Sequence, residues 1–547
     1  MPQPTYDAVS VAIMWDRLIS VTDEIVSTLV RTSFSTIVRE SYDLSVVLMD
    51  AEGKLMAQGS FSVPVFIGTA PRTLRYMLDK FPPETLKPGD VIATNDPWMG
   101  TGHIFDISVM RPVFRGDRLV GYTMSITHLP DIGGLGFGAA ATEVFHEGLR
   151  LPICKLANEG TLDPFILELV ETNVRVPDQT IGDLLANVTC NEVGGRQLLD
   201  FMAEYGIEDL GPLSEAIRTQ SERAMRDKIA EMTNGAYAHE VQIEGVEGSS
   251  TLACTVEVAD ESIHVDFTGT GGCVRHGINV PLCYTNAMTL YAIKCMTAAT
   301  IPNNEGFTRP VTVSAPEGCL LHAQPPSPTG GRHIIGHFVP SLIFGALAES
   351  APDKVQADCG MMDLMTIQGT APNGRGISTI YFSSGGFGAL AGQDGHDTIP
   401  GPSNMAVVPV ETWEAITGMT VLEKRFLPDS GGPGAARGGV GQAVHLRNDS
   451  GHPMTIFCMA NRTEFPPVGF DGGQDGQMRE HRINGEVVHP KGSYVLQNGD
   501  TITLTQAGGG GVGAPKNRAR ERVLADIRDG FVSVAGAARD YGIHVNE

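Results

Sequence analysis

Hydrophobic positions open the chain at helical spacing. Val11, Met14, Trp15, Leu18, Ile25 and Leu29 recur every three, four or seven residues behind Asp7, a suitable N-cap, so this first stretch is predicted to be a helix. The period then shortens. Leu44 to Met49 is a β-rich run, Asp50-Ala-Glu-Gly53 reads as a turn, and Lys54 to Ala57 returns, which predicts a hairpin. Val91 to Thr94 predicts another strand. Ile107 to Phe114 and Leu119 to Ile126 flank Gly116-Asp117 as a second hairpin. Residues 159 to 235 read as helical, ending in an amphipathic stretch, Leu213 to Met232, that Asn234-Gly235 stops.

Beyond Tyr237 the alternation is strand-like. Glu240 to Val246, Leu252 to Val258 and Ser262 to Phe267 are short strands, followed by a helix over Tyr284 to Thr297 and a Pro-, Asn- and Gly-rich loop from Ile301 to His333. Residues 370 to 410 read as loop, and strands dominate from 411 to Thr505. Two helices, Asn517 to Asp529 and Ser533 to Tyr541, end at Gly530 and Gly542. The expected fold class is α+β, multi-domain, with mixed and antiparallel sheets and helices. Three domains are expected: an N-terminal α/β domain over 1–235, a central β-rich domain with a helical insertion over 236–410, and a C-terminal β-rich domain over 411–547.

Composition narrows the function classes. The 547 residues carry 39 basic and 63 acidic side chains, a formal charge of −24, which argues against binding to nucleic acid or an anionic membrane, because both rest on clustered Lys and Arg. The longest apolar stretch, near Phe338 to Ala348, falls short of the ~20 residues a membrane helix needs. Asp7 and Asp16 occupy the region where a signal peptide would be basic and then apolar, so a cytoplasmic location is expected. The 9 cysteines form no CxxC pair and read as small buried hydrophobes rather than as a disulfide framework or thiolate metal site. The 65 glycines imply tight turns and close backbone approaches.

Candidate chemistry is densest in NDPWMGTGHIFDISV, residues 95 to 109, and THLPDIGG, residues 127 to 134. His103 and Asp106, then His128 and Asp131, are two His-x-x-Asp pairs flanking one hairpin, and Asp43 begins an earlier strand. Imidazole with carboxylate is a ligand set for zinc, manganese or iron. The same residues also suit a plainer reading as turn carboxylates and surface histidines. Glycines at 100, 102, 133, 134, 136 and 138 crowd the four candidates, as close backbone approach to a metal and substrate would require. A second glycine cluster, Gly508 to Gly511, mimics a dinucleotide-binding βα turn. It lacks a following Lys-Ser/Thr and second strand, so it is expected to be a structural loop near a substrate or partner interface. The tail FVSVAGAARDYGI resembles half of a helix-turn-helix without a recognition helix.

Several motifs together resemble the hydantoinase B family: Leu29-Val-Arg-Thr-Ser-Phe-Ser35, Arg39-Glu-Ser-Tyr-Asp43, Asn95-Asp-Pro, Gly102-His103, His128-x-x-Asp131-Ile-Gly-Gly and Glu147-Gly-x-x-x-Pro152. The resemblance continues through Asn173-Val-Arg175, Val265-Asp-Phe-Thr-Gly269, Pro428-Asp-Ser-Gly-Gly432 and Gly508 to Gly511, spanning nearly the whole chain. The family contains the metal-bearing subunits or domains of ATP-dependent N-methylhydantoinases, 5-oxoprolinases and caprolactamases, and the large subunits of acetone and acetophenone carboxylases.

The resemblance implies a division of labour. A hydantoinase A type partner binds ATP and phosphorylates the carbonyl or lactam oxygen, in a hetero-oligomer of the α2β2 kind, and this chain breaks the bond at a divalent metal (Zn, Mn or Fe). The implied metal ligands are Asp43, His103, Asp106 and His128. Asp131 or Glu40 would act as general base or orient the attacking water, although Glu40 also suits an ion pair with Arg39 or Arg31. Thr101-Gly102-His103 departs from the usual Gly-Thr-His order and is expected to bring a hydroxyl near the metal. The length fits cyclic amide hydrolysis, of hydantoin, oxoproline or a lactam, better than ketone carboxylation. A ketone carboxylase subunit, or a noncatalytic scaffold with a structural metal, is the alternative.

Overall fold

In the computed structural model, which describes residues 6–545, Asp7 caps the first helix as its position suggests. Its Oδ1 accepts from the amides of Val9 and Ser10 at 3.0 Å each, and α1 runs Ala8–Thr32. Next come the strands β1 (Leu44–Asp50), β2 (Leu55–Gln58), β3 (Val91–Thr94), β4 (Asp106–Arg115), β5 (Arg118–His128), β6 (Cys154–Asn158) and β7 (Thr161–Leu162). They form one antiparallel sheet in the order β2-β1-β5-β4-β3-β6-β7. Leu44, Val46 and Leu48 of β1 pack with Leu18 and Ile25 of α1 and with Leu198 and Phe201 of α2 (Pro177–Glu204). Val47 and Met49 enter the core on the other face. Burial on both faces explains why β1 reads as an unbroken apolar run rather than an alternating one.

A second sheet holds strands Gly235–Glu244, Ser249–Ala259, Ser262–Asp266 and Val311–Ser314. The last pairs parallel with Ser262–Asp266, although it lies in the segment expected to be loop. Four residues at an edge are too short for their alternation to be read from sequence. Helices α3 (Leu282–Thr297), α4 (Arg332–Gly336) and α5 (Phe338–Leu347) follow in the order of the chain, with α5 packed on both α3 and this sheet.

Strands Met362–Thr370 and Gly376–Ser384 form a hairpin within the segment that reads partly as loop from 370 to 410. Ile377, Ile380, Tyr381 and Phe382 divide between two hydrophobic cores, which removes the period-two signature. This hairpin continues through Met454–Met459 and Ser493–Leu496 into one four-stranded sheet, so hydrogen bonds join segments on both sides of the expected boundary near 410. Backbone pairing holds these segments together regardless of their separation along the chain. A neighbouring five-stranded sheet contains Met419–Phe426, Gln442–Asn448, Thr501–Thr505, Glu480–Ile483 and Glu486–Val487.

The glycine cluster at 508–511 is a structural loop built into the interior. Its successive amides donate to Gln477 O (3.0 Å), Gly439 O (2.9 Å), Asp358 O (2.8 Å) and Gln474 O (3.0 Å), which lie on three separate stretches of chain. All four residues are buried. A Cβ added to Gly438 would lie 2.0 Å from Gly509 O, and one on Gly439 would lie 1.9 Å from His396 O. Here backbone packs on backbone, with no room for side chains.

Replacing Gly439 with Ala is therefore expected to lower the unfolding temperature markedly or abolish soluble folding, because backbone must move to admit the methyl group. Gly272→Ala, where the nearest atom to the new Cβ is 4.0 Å away, should change stability by no more than about 0.5 kcal/mol. Parallel thermal unfolding of the two variants tests this; equal midpoints would refute it.

Candidate metal centre

Strand register assembles the site. Asp106, the first residue of β4, is paired with His128, the last of β5. On the other side of β5, Leu44 pairs with Thr127, and the His128 amide donates to Asp43 O at 3.2 Å. Asp43, His128 and Asp106 thus sit side by side at one end of three adjacent strands. The loop before β4 supplies His103. Asn95 shapes that loop: its Nδ2 donates to Ile104 O (2.7 Å) and Leu149 O (2.9 Å), and its Oδ1 accepts from the Leu151 amide (2.6 Å). Gly102 adopts φ 101°, and a Cβ there would lie 2.7 Å from Arg332 Cδ.

The ligand atoms of His103, Asp106 and His128 lie within 4.8 Å of one another, and all three residues are buried. Each histidine uses Nδ1 on a carbonyl, His103 on Gly330 O (3.1 Å) and His128 on Leu129 O (2.8 Å), leaving Nε2 directed inward. His103 Nε2 approaches Asp106 Oδ2 to 3.0 Å without a hydrogen bond of good geometry, and His128 Nε2 has no partner. A buried polar atom left unpaired costs about 1–3 kcal/mol, so converging unpaired Nε2 atoms beside a carboxylate mark a place for a cation. The donor set fits a divalent metal.

Charge is arranged around this cluster. Asp106 Oδ2 accepts from Thr101 Oγ1 and from an Arg332 guanidinium nitrogen, both at 2.6 Å, and Arg332 Nε donates to Thr101 O at 2.7 Å. Burial opposes ionisation of Asp106, but the adjoining His103 imidazole and the Arg332 guanidinium outweigh it and hold this carboxyl below its usual range. Burial, reinforced by Arg332, lowers His103; burial, His103 and Arg332 bring His128 down to about 3 despite Asp106. Both imidazoles are thus neutral, as ligation demands. Asp43 is shifted the other way, upward, by burial and by the Asp106 charge, with Arg332 opposing.

Comparison with known proteins places the chain in a family. The family model for hydantoinase B/oxoprolinase matches residues 7–515. The chain belongs to that family. It is 28% identical over 572 residues to caprolactamase subunit beta of Pseudomonas jessenii, covering 99% of this chain and 97% of the relative. The crystal structure of ATP-dependent caprolactamase from P. jessenii superposes with a TM-score of 0.91 at 26% identity, over 99% of this chain and 97% of that one. A nucleotide-free acetone carboxylase structure shares the fold, with a TM-score of 0.88 at 18% identity, over 98% of this chain and 80% of that one.

Of the residues singled out in the sequence, the structure brings together His103, Asp106 and His128, with Asp43 lining the same cavity. Asp131 is elsewhere. Its Oδ1 accepts from Arg175 NH1 (2.8 Å) and the Gly133 amide (3.2 Å), and its Oδ2 from the Arg175 amide. The second His-x-x-Asp pair is split because β5 ends at His128 and the chain turns away, so Asp131 secures a loop and does not line the cavity. Glu40 ends the short helix Thr36–Arg39, does not line the cavity, and makes no side-chain ion pair among the described residues. Of the metal-proximal glycines, Gly102 backs onto Arg332, whereas Gly133 approaches Asn173 O and Gly134 approaches Glu147. The Thr-Gly-His order does place a hydroxyl at the centre, through Thr101.

Sequence reasoning missed Arg332, His333, His337, Tyr284 and Glu147. For the first three the signal was Gly330-Gly-Arg-His333 followed by His337, an i,i+4 histidine pair at the end of the segment that reads as loop. Glu147 Oε1 accepts from the Thr329 and Gly330 amides at 2.6 Å each, so it fixes the carbonyl that holds His103. Burial raises Glu147 from 4.5 to about 8 despite those amides. Folding therefore favours its protonated form: the stabilisation is complete below the unfolded value near 4.5 and lost as pH rises through 8. Glu147→Gln is expected to unfold about 2–4 °C above the wild type near pH 9 and to lose that advantage near pH 5. Thermal scans across that range check it; a pH-independent difference would contradict it.

Proposed function

We propose that the chain is the metal-dependent subunit of an ATP-dependent cyclic amide hydrolase, opening a hydantoin, oxoproline or lactam ring whose oxygen a hydantoinase A type partner has phosphorylated. The observation carrying this reading is the buried convergence of His103 Nε2, His128 Nε2 and Asp106 on one point. Likeness over 99% of the chain to an ATP-dependent caprolactamase supports the reaction class, and the designation "subunit beta" of the P. jessenii relative supports a partner.

His103, Asp106 and His128 would hold the cation, with Asp43 beside them. A divalent ion there supplies Lewis acidity for attack on an amide carbon. The protein's own groups set the conditions. Thr101 and Arg332 fix the Asp106 carboxylate so that it faces the imidazoles. Phe105 stacks on His128 with centroids 5.6 Å apart, and Phe137 meets the same ring edge-on at 4.8 Å, so the histidines turn little and bulk water is kept out. An amide resists hydrolysis because its nitrogen is a poor leaving group. Phosphorylation of its oxygen by a separate subunit would meet that demand, leaving this chain to bind and open the activated ring.

His103→Ala and His128→Ala are each expected to lose most bound metal by elemental analysis and to lower ring opening at least about 100-fold. The complex with its ATP-binding partner should release ADP and phosphate in step with lactam opening. Full metal occupancy in both variants would sink the metal assignment. Consumption of bicarbonate instead of lactam opening would replace hydrolysis with carboxylation.

A further inference from the structure

The cavity beside the metal cluster has a second polar wall that the cluster does not use. His333 and His337 lie one turn apart, at the start of α4 and just past its end, with ring centroids 5.7 Å apart. Both are buried. So is Tyr284, whose ring stacks on His337 at 6.4 Å and lies under the Arg332 guanidinium at 4.5 Å. His333 Nε2, His337 Nε2 and the Tyr284 hydroxyl have no hydrogen-bond partner. Arg332 uses Nε on Thr101 O and NH2 on Asp106, which leaves NH1 without a partner among the described residues. All four side chains line the same cavity as Asp43, His103, Asp106 and His128.

Buried polar atoms in folded proteins are nearly always paired, so this wall implies an occupant that pairs with it. Charge decides the sign of that occupant. Asp43 and Asp106 stand against one guanidinium, and a divalent cation on His103, Asp106 and His128 tips the lining to a net positive charge. Buried charge is costly unless it is balanced. An anion answers that excess, and a neutral group does not. The donors favour the same choice. A neutral imidazole donates through one nitrogen, a phenol through its oxygen and a guanidinium through all three nitrogens, so His333, His337, Tyr284 and Arg332 NH1 together suit a group made of acceptors. A phosphoryl group is such an anion, with three acceptor oxygens. The cavity measures about 40 Å³, room for about three water molecules, which matches the space those oxygens need. The rest of the lining is largely apolar. It includes Met362 and Met405, unbranched side chains that repack readily to admit the ring the phosphoryl group carries.

We propose that Tyr284, His333, His337 and Arg332 NH1 hold the phosphoryl group of the activated ring, donating hydrogen bonds to its terminal oxygens in the cavity that the metal cluster also lines. This assignment rests on the cyclic amide reading above and adds the residues of this chain that recognise the phosphorylated oxygen.

The test uses the full chain with its ATP-binding partner, whose nucleotide site is filled with a non-hydrolysable ATP analogue so that it takes up no free phosphate. Inorganic phosphate is the probe, titrated calorimetrically, with metal content measured alongside. Tyr284→Phe, His333→Met and His337→Met each remove a polar atom that has no partner within the protein while keeping most of the volume. All three should fold with the wild-type metal content and bind phosphate at least about tenfold more weakly. His333→Gln and His337→Gln return an N–H near the position of Nε2 and should bind phosphate almost as tightly as the wild type. Gln variants as weak as the Met variants would give the imidazoles a space-filling role and overturn the assignment. Wild-type affinity in Tyr284→Phe and both Met variants would also overturn it, as would a wild type that prefers bicarbonate to phosphate. Loss of metal from His333→Met or His337→Met would make that histidine a ligand, with the same consequence. Lactam opening by the wild-type complex with ATP is followed separately. A complex that opens a lactam with release of ADP yet binds no phosphate on this chain overturns this assignment alone. One that binds phosphate through these residues but opens no lactam overturns the hydrolase reading and leaves an oxyanion site standing.

Discussion

Asp106 faces His128 across the β4–β5 hairpin, and the rest of the centre depends on that register. Side chains alternate along a strand, so a slip of one residue would carry a ligand to the opposite face of the sheet. Two features hold the register. The irregularity in the hairpin falls at Val113/Phe114, beside the turn and far from the ligands. On the helix covering the sheet, Asn187 Nδ2 donates to Thr127 Oγ1 (2.8 Å) and Asn187 Oδ1 accepts from Ser125 Oγ (2.7 Å). Asn191 Nδ2 donates to Ser125 Oγ (2.7 Å) and to Val109 O (3.1 Å). These bonds lie in the interior, where water cannot substitute for a misplaced partner, so they favour one alignment of β4 and β5 over its neighbours.

The centre works against the stability of the fold. Two carboxylates, one guanidinium and four imidazoles share the lining of one small cavity, and burying ionisable groups is costly unless they are paired. Arg332 relieves much of this by binding Asp106 directly, and its charge also helps keep all four imidazoles neutral. The pairing leaves Nε2 atoms of His103 and His128 without protein partners. A sequence selected for stability alone would fill such a space with apolar side chains. The unpaired atoms are better understood as the requirement for a ligand.

The candidate ligands nearest the sheet were legible because a hairpin places the residues at its two ends together, and two His-x-x-Asp pairs flanked a recognisable one. Local sequence says nothing, however, about where the chain turns after β5. His128 and Asp131 have the same spacing as His103 and Asp106, yet only the latter pair converges. Arg332, His333 and His337 were hidden for a different reason. They follow a run of Pro, Gly, Ser and Thr that reads as loop, and the short helix bearing them is held by Tyr284 and Asp106 from distant parts of the chain. The strands Val311–Ser314 and Gly376–Ser384 escaped notice through brevity in one case and burial on both faces in the other.

The glycine excess acquires its meaning from the wall of the same cavity. Met362 and Leu364 line it from one strand of a hairpin and Phe382 from the other. Both ends of that hairpin run into glycine. The Gly360 amide donates to Gly386 O (2.8 Å), the Gly385 amide to Met361 O (2.9 Å) and the Gly386 amide to Ala507 O (2.9 Å). Arg479, itself buried, donates through NH2 to Gly360 O and Met361 O at 2.8 Å each. A Cβ on Gly386 would fall 1.8 Å from Gly439 O, so these segments approach more closely than any sheet carrying side chains permits. Hydrogen bonds between backbones have fixed lengths and directions, and here no side chain can rotate or repack to absorb a displacement. The hairpin forming the apolar wall is thereby anchored to a scaffold stiffer than an ordinary hydrophobic core, and the cavity keeps its narrow shape opposite His103, Asp106 and His128.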